Sequence, residues 1–389
     1  MHPKHMHPSK PVLSLCVMTC ALLIAPIGHT EIDLIAKNQL DSPLLSPLSV
    51  QFGGQLRPQW VHNVGDEPSY YKNGHDGLSR LRLTINYDVS PETKVVGYYE
   101  RGINPFKILG MDNHYSPQSP SSSERQSYIS IENKTYGTLT YGHQFGLYYS
   151  VIGMKSDVWD NDAHAGATAI GAHTNYDGAN RPKNSLMYSK DFDHFKLYAN
   201  VLFPEKAKVL SDQHIYKRQN GAGIGLDYKP SKTLTYSAAF STTKAQIKSE
   251  QHQATTEAND YQQNIFGTAV TYQPNQWYLV ATASYYNDFV PVVNNPTVQH
   301  YFVGDGYGLE AFAGYTFKFD LPYLKSIQPY IAVDSLRLKS AENFRANHQY
   351  VGFSTSFNKN LKIMTEHTFA STSDKSEKDS TWITMFISF

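Results

Sequence analysis

Asp157, Asp160 and Asp162 fall together in a stretch of about 35 residues, 146–180, that shows no clear alternation, and a connection of that length is usually functional. Residues 165–172 are small and rich in Gly and Ala, so this end of the stretch carries little charge and is able to tuck into an interior. Folded inward, the three aspartates form a negative wall. Basic partners are available. Arg80 and Arg82 share the polar face of one alternating segment, Arg57 shares the polar face of Gln51, Gln55 and Gln59, and Arg125 and Arg181 open segments beside long connections. Taken singly, each arginine is equally well an ordinary solvated or salt-bridged residue. Taken together, they set guanidinium groups against carboxylates across a narrow aqueous passage, where a transverse field orients polar solutes and hinders apolar ones.

Such a field makes and breaks no bonds. Catalysis needs a nucleophile, or an acid and a base, within hydrogen-bond reach. His164, His173 or His367 with Asp162 are the nearest candidates, but they are scattered among 16 histidines and form no motif. Both cysteines, Cys16 and Cys20, lie in the first 30 residues, so residues 31–389 have no thiol, disulfide or cysteine metal site. No cofactor and no metal are expected.

The elements that must position these charges repeat from about residue 48 onward. Segments of roughly ten residues alternate apolar and polar side chains. In residues 80–89, Leu81, Leu83, Ile85, Tyr87 and Val89 face one way, and Arg80, Arg82, Thr84, Asn86 and Asp88 the other. Ala222, Ile224, Leu226 and Tyr228 oppose Gly223, Gly225 and Asp227; Leu234, Tyr236, Ala238 and Phe240 oppose Thr235, Ser237 and Ala239; Ile327, Pro329, Ile331 and Val333 oppose Gln328, Tyr330 and Ala332. In the last segment Ile383, Met385, Ile387 and Phe389 form the apolar face, while Trp382 and Phe386 fall on the other.

Short turns rich in Pro, Asn, Asp and Ser fall at residues 90–92, 133–135, 190–193, 229–231, 274–276 and 358–360, with a longer one at 320–326. Long polar loops alternate with them, near residues 63–76, 105–122, 146–180, 204–219, 244–262, 287–305, 338–345 and 371–380. Seven turns and eight loops join sixteen strands. Short and long connections in strict alternation are those of a transmembrane barrel, with turns on one side of the membrane and loops on the other.

Composition fits. The chain has 28 Tyr and 19 Phe, only 17% charged residues and a mean hydropathy of −0.45. A soluble β-sandwich has a similar balance, but sixteen strands require several sandwiches, and no linker or change of composition separates them. Tyr98, Tyr99, Tyr141, Tyr188, Tyr198, Tyr228, Tyr272, Tyr315 and Phe317, near strand ends, suit aromatic girdles at the two membrane surfaces. The 34 basic and 34 acidic residues balance, so nothing points to a nucleic-acid partner.

Residues 1–30 read as an export signal, with Lys4 and Lys10 ahead of an apolar run from Val12 to Ile27 that ends in Gly28, His29 and Thr30. A lipoprotein site at Cys20 is the rival, but Ala21, Leu22, Leu23 and Ile24 continue the apolar run past it. After residue 30 no run is long enough to cross a bilayer as a helix, so a membrane reading requires a closed barrel that satisfies every backbone polar group.

The chain resembles the trimeric general-diffusion porins of Gram-negative outer membranes. Residues 79–100, which begin Ser79-Arg80-Leu81 and end at Glu100, carry the resemblance, as do residues 124–146, Glu124-Arg125 through Tyr141-Gly142-His143-Gln144-Phe145-Gly146, and residues 181–188, Arg181 through Tyr188. The resemblance implies that Arg80, Arg125 and Arg181 belong to the basic cluster of a constriction, with Glu100 beside it. The family's lysine aligns nearer Gly54 than Arg57. Where the family's third loop ends its acidic segment in Pro-Glu-Phe-Gly-Gly, this chain has Trp159-Asp160-Asn161-Asp162-Ala163, and His143 stands in place of a usual arginine. Asp160 is the best match to the family's loop glutamate, and Asp157 is displaced by about one residue. The resemblance further implies that the terminal aromatic is read by the barrel-assembly machinery.

These readings predict an all-β protein: a signal peptide over residues 1–30, then a 16-stranded antiparallel transmembrane β-barrel over residues 31–389 with an inward-folded third loop. The expected function is passive diffusion of small hydrophilic solutes and ions across a Gram-negative outer membrane. A homotrimer is implied by resemblance, and outer-membrane lipid is the other partner. The expected constriction has a basic wall of Arg57, Arg80, Arg82, Arg125 and Arg181 facing Asp157, Asp160, Asp162 and Glu100. A sugar- or oligosaccharide-selective porin, using Trp159 and tyrosines as stacking surfaces, remains open. So does an outer-membrane barrel enzyme.

Overall fold

The computed structural model describes residues 31–65, 74–110, 121–170, 178–209, 214–249, 259–289, 304–339, 343–375 and 377–389. The expected leader, residues 1–30, lies outside them. Sixteen strands form the wall. The first runs in two pieces, Leu48–Leu56 and Pro58–Asn63. Then follow Arg80–Ser90, Thr93–Ile103, Ser122–Asn133, Gly137–His143, Ser185–Asp191, Phe195–Leu202, His214–Ser231, Leu234–Ser249, Asn259–Tyr272, Trp277–Phe289, Gly304–Tyr315, Leu324–Leu338, Arg345–Ser356, Leu361–Thr372 and Ser380–Ser388.

Each strand pairs antiparallel with its neighbour in sequence, and the last pairs with both pieces of the first: Gln55 faces Ser388, Leu56 faces Ile387, and Asn63 faces Ser380. The ring is closed, so no edge strand exposes unpaired backbone groups, as a strand structure in lipid requires. Below this seam the short strand Ile32–Ile35 pairs with Leu48–Leu56 and continues the line of the last strand. Gly54 lies in the seam, its N–H donating to Phe389 O at 2.8 Å. A Cβ there would stand 2.7 Å from Arg80 O and 2.8 Å from the Phe389 ring, so only glycine lets the two ends meet this closely.

Alternation sets the faces. Ile129, Ile131, Ile224, Phe240, Ile331, Val333, Phe369 and Ile383 are exposed, whereas Ser130, Ala239, Ala332, Thr368 and Thr384, one position away, are buried. The outside is therefore an apolar belt that water would not tolerate but lipid does, which removes the soluble-sandwich alternative. Among the described residues no helix is long and apolar enough to cross a membrane; the crossing is made by strands.

Three sequence expectations are corrected. Strands His214–Ser231 and Leu234–Ser249 have 18 and 16 residues and stay paired up to His214 and Ser249. The roughly 9–11 residues that span a bilayer are exceeded, so much of the expected loops at 204–219 and 244–262 is wall that continues into water. The expected turn at 320–326 is also mostly strand, because Phe317–Leu321 pairs with Leu324–Leu338 and leaves only Pro322 and Tyr323 between them. Finally, Tyr98 and Tyr198 are not girdle residues. Their hydroxyls donate inward, to Glu100 at 3.2 Å and to Asp227 at 3.2 Å, while Tyr99, Tyr141, Tyr188, Tyr228, Tyr272 and Phe317 are exposed as expected.

Candidate functional site

The stretch 146–180 packs against the polar faces of strands that lie far apart around the ring. Lys155 Nζ donates to Asp227 at 2.9 Å, Tyr148 OH meets Ser284 Oγ at 2.7 Å, and Tyr278 OH donates to Lys155 O at 2.7 Å. The amides of Asp160 and Asn161 donate to the two Glu366 oxygens, both at 3.0 Å, and Thr384 Oγ1 donates to Asp160 at 2.8 Å. On the return, the His164 amide donates to Asp334 at 2.8 Å and Tyr286 OH donates to Ala165 O at 2.5 Å. One connection reaches all these strands from their polar sides only by lying inside the ring.

Local sequence makes this docking possible. A short π-helix, Tyr149–Gly153, leads into Met154–Ser156. Leu147, Tyr148, Val151 and Ile152 form an apolar patch that is at most 1% exposed. Wall glycines give it room: a Cβ on Gly223 would stand 2.5 Å from Leu147 Cδ2, and one on Gly308 would stand 2.0 Å from Ala165 O. Trp159 is buried against Phe312 and Tyr350, with ring centroids 5.9 and 5.5 Å away. Buried carboxylates do the rest. Asp227 takes Lys155, Tyr198 and Ser237, and Glu366 takes the loop amides and Tyr330.

The basic residues form a second group, centred on Glu100. Glu100 bridges two arginines, accepting from Arg82 Nε at 2.8 Å and from Arg125 Nε at 2.7 Å. Arg125 reaches it through a bulge: Glu100 faces Gln126 and Arg101 faces Glu124, so Arg125 is left over. By strict alternation it would point outward with Ser127 and Ile129; the extra residue turns it in. Arg57 sits at the break between Leu48–Leu56 and Pro58–Asn63, its amide donating to Ser79 Oγ at 2.8 Å and its guanidinium to Gln55. Arg80 is 9% exposed, and its Nε has no hydrogen-bond partner among the described residues. Arg181 precedes Ser185–Asp191. Burial first, then Arg125, pulls it down to about 10, which leaves it charged at neutral pH, while Glu100, Tyr149 and Asp157 oppose the shift.

Lys362 was not read from the sequence and belongs here. Its ammonium lies 4.4 Å from the Phe386 ring centre, and Arg57 lies 4.8 Å from the same ring. An inward aromatic on the last strand thus lies against two cations, and each gains a cation–π contact of about 0.5–1 kcal/mol or more. The alternation Lys362, Met364, Glu366, Thr368 was the available signal, because all four share one face.

The three loop aspartates are not equivalent. Asp157 accepts from Tyr149 OH at 2.5 Å and is the leading opposite charge acting on Arg57. Asp162 is exposed and hydrogen-bonded to Asp157; desolvation by the surrounding loop, then the Asp157 charge, raise it above the usual carboxylate range, with Arg57 opposing. Asp160 points at the wall beside Thr384, and burial pushes it up to about 6 against the pull of Thr384, Lys362 and Arg57. Glu100, grouped by sequence with the acidic side, is embedded in the basic wall instead.

The residues considered for catalysis do not form one site. His367 Nδ1 bonds Thr381 at 2.8 Å, Asp162 is taken by Asp157, and His164 meets His348 and Glu377; His173 lies outside the described residues. His143, at the departure from the family pattern, pairs with Glu124 at 2.9 Å.

A closed barrel with an apolar outside, a polar inside and a connection lying across its interior defines an outer-membrane diffusion channel. Residues 20–313 match the Gram-negative porin family, and the chain belongs to it. Similar solved structures include Salmonella typhi OmpF in complex with daunomycin, with TM-score 0.69 and 17% identity, covering 88% of this chain and 98% of that one. An anion-selective porin from Comamonas acidovorans has TM-score 0.59 and 14% identity, over 88% of this chain and 99% of that one. The outer membrane channel DcaP of Acinetobacter baumannii also has TM-score 0.59 and 14% identity, over 89% and 98%. No curated protein sequence matches the chain.

Proposed function

We propose that this outer-membrane porin passes small hydrophilic solutes and ions through a constriction between the basic wall and the third loop, with a preference for anions. The observation that carries this is the charge count across the passage. Six cations, Arg57, Arg80, Arg82, Arg125, Arg181 and Lys362, stand against the four carboxylates of Glu100, Asp157, Asp160 and Asp162. Arginine stays charged at any physiological pH, so the excess is permanent. The polar side chains act on a solute by charge and hydrogen bonding alone, and they have no catalytic role.

A sugar-stacking track draws no support from the interior aromatics named here: Trp159 and Phe386 are 3% and 5% exposed and already stacked. Trimeric assembly is supported by the family and by a structural relative, OmpT of Vibrio cholerae, described in a trimer form, with TM-score 0.57 and 14% identity over 88% of this chain and 99% of that one. Reconstitution in a planar bilayer under a salt gradient tests all three parts. Conductance should appear in groups of three steps, with a reversal potential of anionic sign. Cation preference would overturn the charge reading, and block of the current by a sugar at micromolar level would restore the sugar porin.

A further inference from the structure

A histidine–carboxylate group lies apart from the arginine wall, where the returning part of the third loop meets the last connection. Four segments supply it: His164 from the loop, Asp334 from Leu324–Leu338, His348 from Arg345–Ser356, and Glu377 from the connection before the last strand. Ligating atoms of His164, Asp334 and His348 all lie within 4.8 Å of one another. His348 is fully buried and bonded on both ring nitrogens, Nδ1 to Asp334 Oδ1 at 2.6 Å and Nε2 to Glu377 Oε2 at 2.8 Å. The same Glu377 oxygen stands 3.6 Å from His164 Nδ1, and the two imidazoles cross edge to face with centroids 4.6 Å apart.

We propose that His348 Nε2, His164 Nδ1 and a Glu377 carboxylate oxygen bind a zinc-like divalent cation, with a fourth position left to water. Bonds of about 2.0–2.2 Å in a tetrahedral site put donors about 3.3 Å apart, and the separations of 2.8 and 3.6 Å bracket that value. Two imidazoles with one carboxylate select zinc-type ions over magnesium or calcium, which prefer all-oxygen sites. Asp334 is a positioning residue. It accepts Nδ1–H of His348, which leaves Nε2 as the ligating nitrogen. Its other oxygen accepts from the His164 amide at 2.8 Å and from Tyr350 OH at 2.6 Å, so one carboxylate orients both histidines. The cation takes the place of the proton shared by His348 and Glu377, and that proton leaves to solvent. Bound there, it ties the third loop and the last connection to the same patch of wall.

The exported protein, purified without a histidine tag, is titrated with Co²⁺ as a spectroscopic probe. Stoichiometric binding with the visible bands of a four-coordinate nitrogen–oxygen site is expected, reversed by Zn²⁺. His164→Ala and Glu377→Gln, both outside the strands, should each weaken binding tenfold or more while leaving barrel circular dichroism and conductance intact. Asp334→Asn should weaken it about 10–100-fold with the band shape retained, which a collapsed site would not give. Absence of the visible bands in the wild type, or wild-type affinity in His164→Ala or in Glu377→Gln, overturns the site and leaves a histidine bridged by protons between two carboxylates. Unchanged affinity in Asp334→Asn overturns its positioning role.

Discussion

The two sides of the proposed constriction are built by different means. The basic wall is made mostly of strand residues, with Arg57 at a strand break and Arg181 ahead of a strand, and its central charges are held by neighbours on adjacent strands: Arg82, Arg125 and Glu100 form one bridged group. The acidic side is made of loop, and its position depends on anchors that are mostly buried and come from distant strands. A rigid sheet thus faces a docked segment, and only the docked side can be moved without opening the barrel.

The largest expected effect comes from undocking. Lys155→Ala leaves Asp227, 3% exposed, without its cation, and breaking a buried pair from one side costs about 3–5 kcal/mol. The loop should loosen at its root, and single-channel conductance should rise and become noisy; a wild-type trace would show that the Leu147 patch alone holds the loop. Gly308→Val acts at the other end. The new side chain meets Ala165 O, an overpacking of about 1–3 kcal/mol, and it should displace the loop's return while the barrel still migrates as folded on a gel.

Arg125→Ala tests the rigid side. It removes one cation and leaves Glu100 with Arg82 alone as a hydrogen-bonded partner among the arginines, so selectivity should move towards cations with conductance little changed. An unmoved reversal potential would place the bulge outside the passage.

Smaller effects distinguish the aspartates. Asp160 is raised to about 6, so it is ionised above that pH and neutral below it. Anion preference should increase as pH falls through 6, and Asp160→Asn should hold the low-pH value throughout. Asp162→Asn should change selectivity less than Asp157→Asn, because the Asp162 carboxyl is held above the usual carboxylate range. Equal shifts from the two would mean that the raised proton affinity of Asp162 plays no part in selectivity.

Much of this was legible from residue order. Leu81, Leu83 and Ile85 against Arg80, Arg82 and Thr84 place two arginines inward with no further information, because a strand has period two. The same rule extends to Lys362, which was passed over. It fails for Arg125, since a bulge adds a residue that no periodicity announces. Asp157, Asp160 and Asp162 were legible as a group but not as individuals, because the raised proton affinities of Asp160 and Asp162 depend on desolvation and on neighbours brought in by the fold.

Sequence alone determined the strand count, the apolar outside, the polar inside and the arginines that alternation carries inward, since these follow from local backbone geometry. Only the tertiary structure decided where the third loop lies, which aspartates have raised proton affinity, that Arg57 and Lys362 share the Phe386 ring, and that His164, Asp334, His348 and Glu377 meet. The physical reason is that closing the ring brings together residues hundreds of positions apart, and the low-dielectric contacts formed there have no counterpart along the chain.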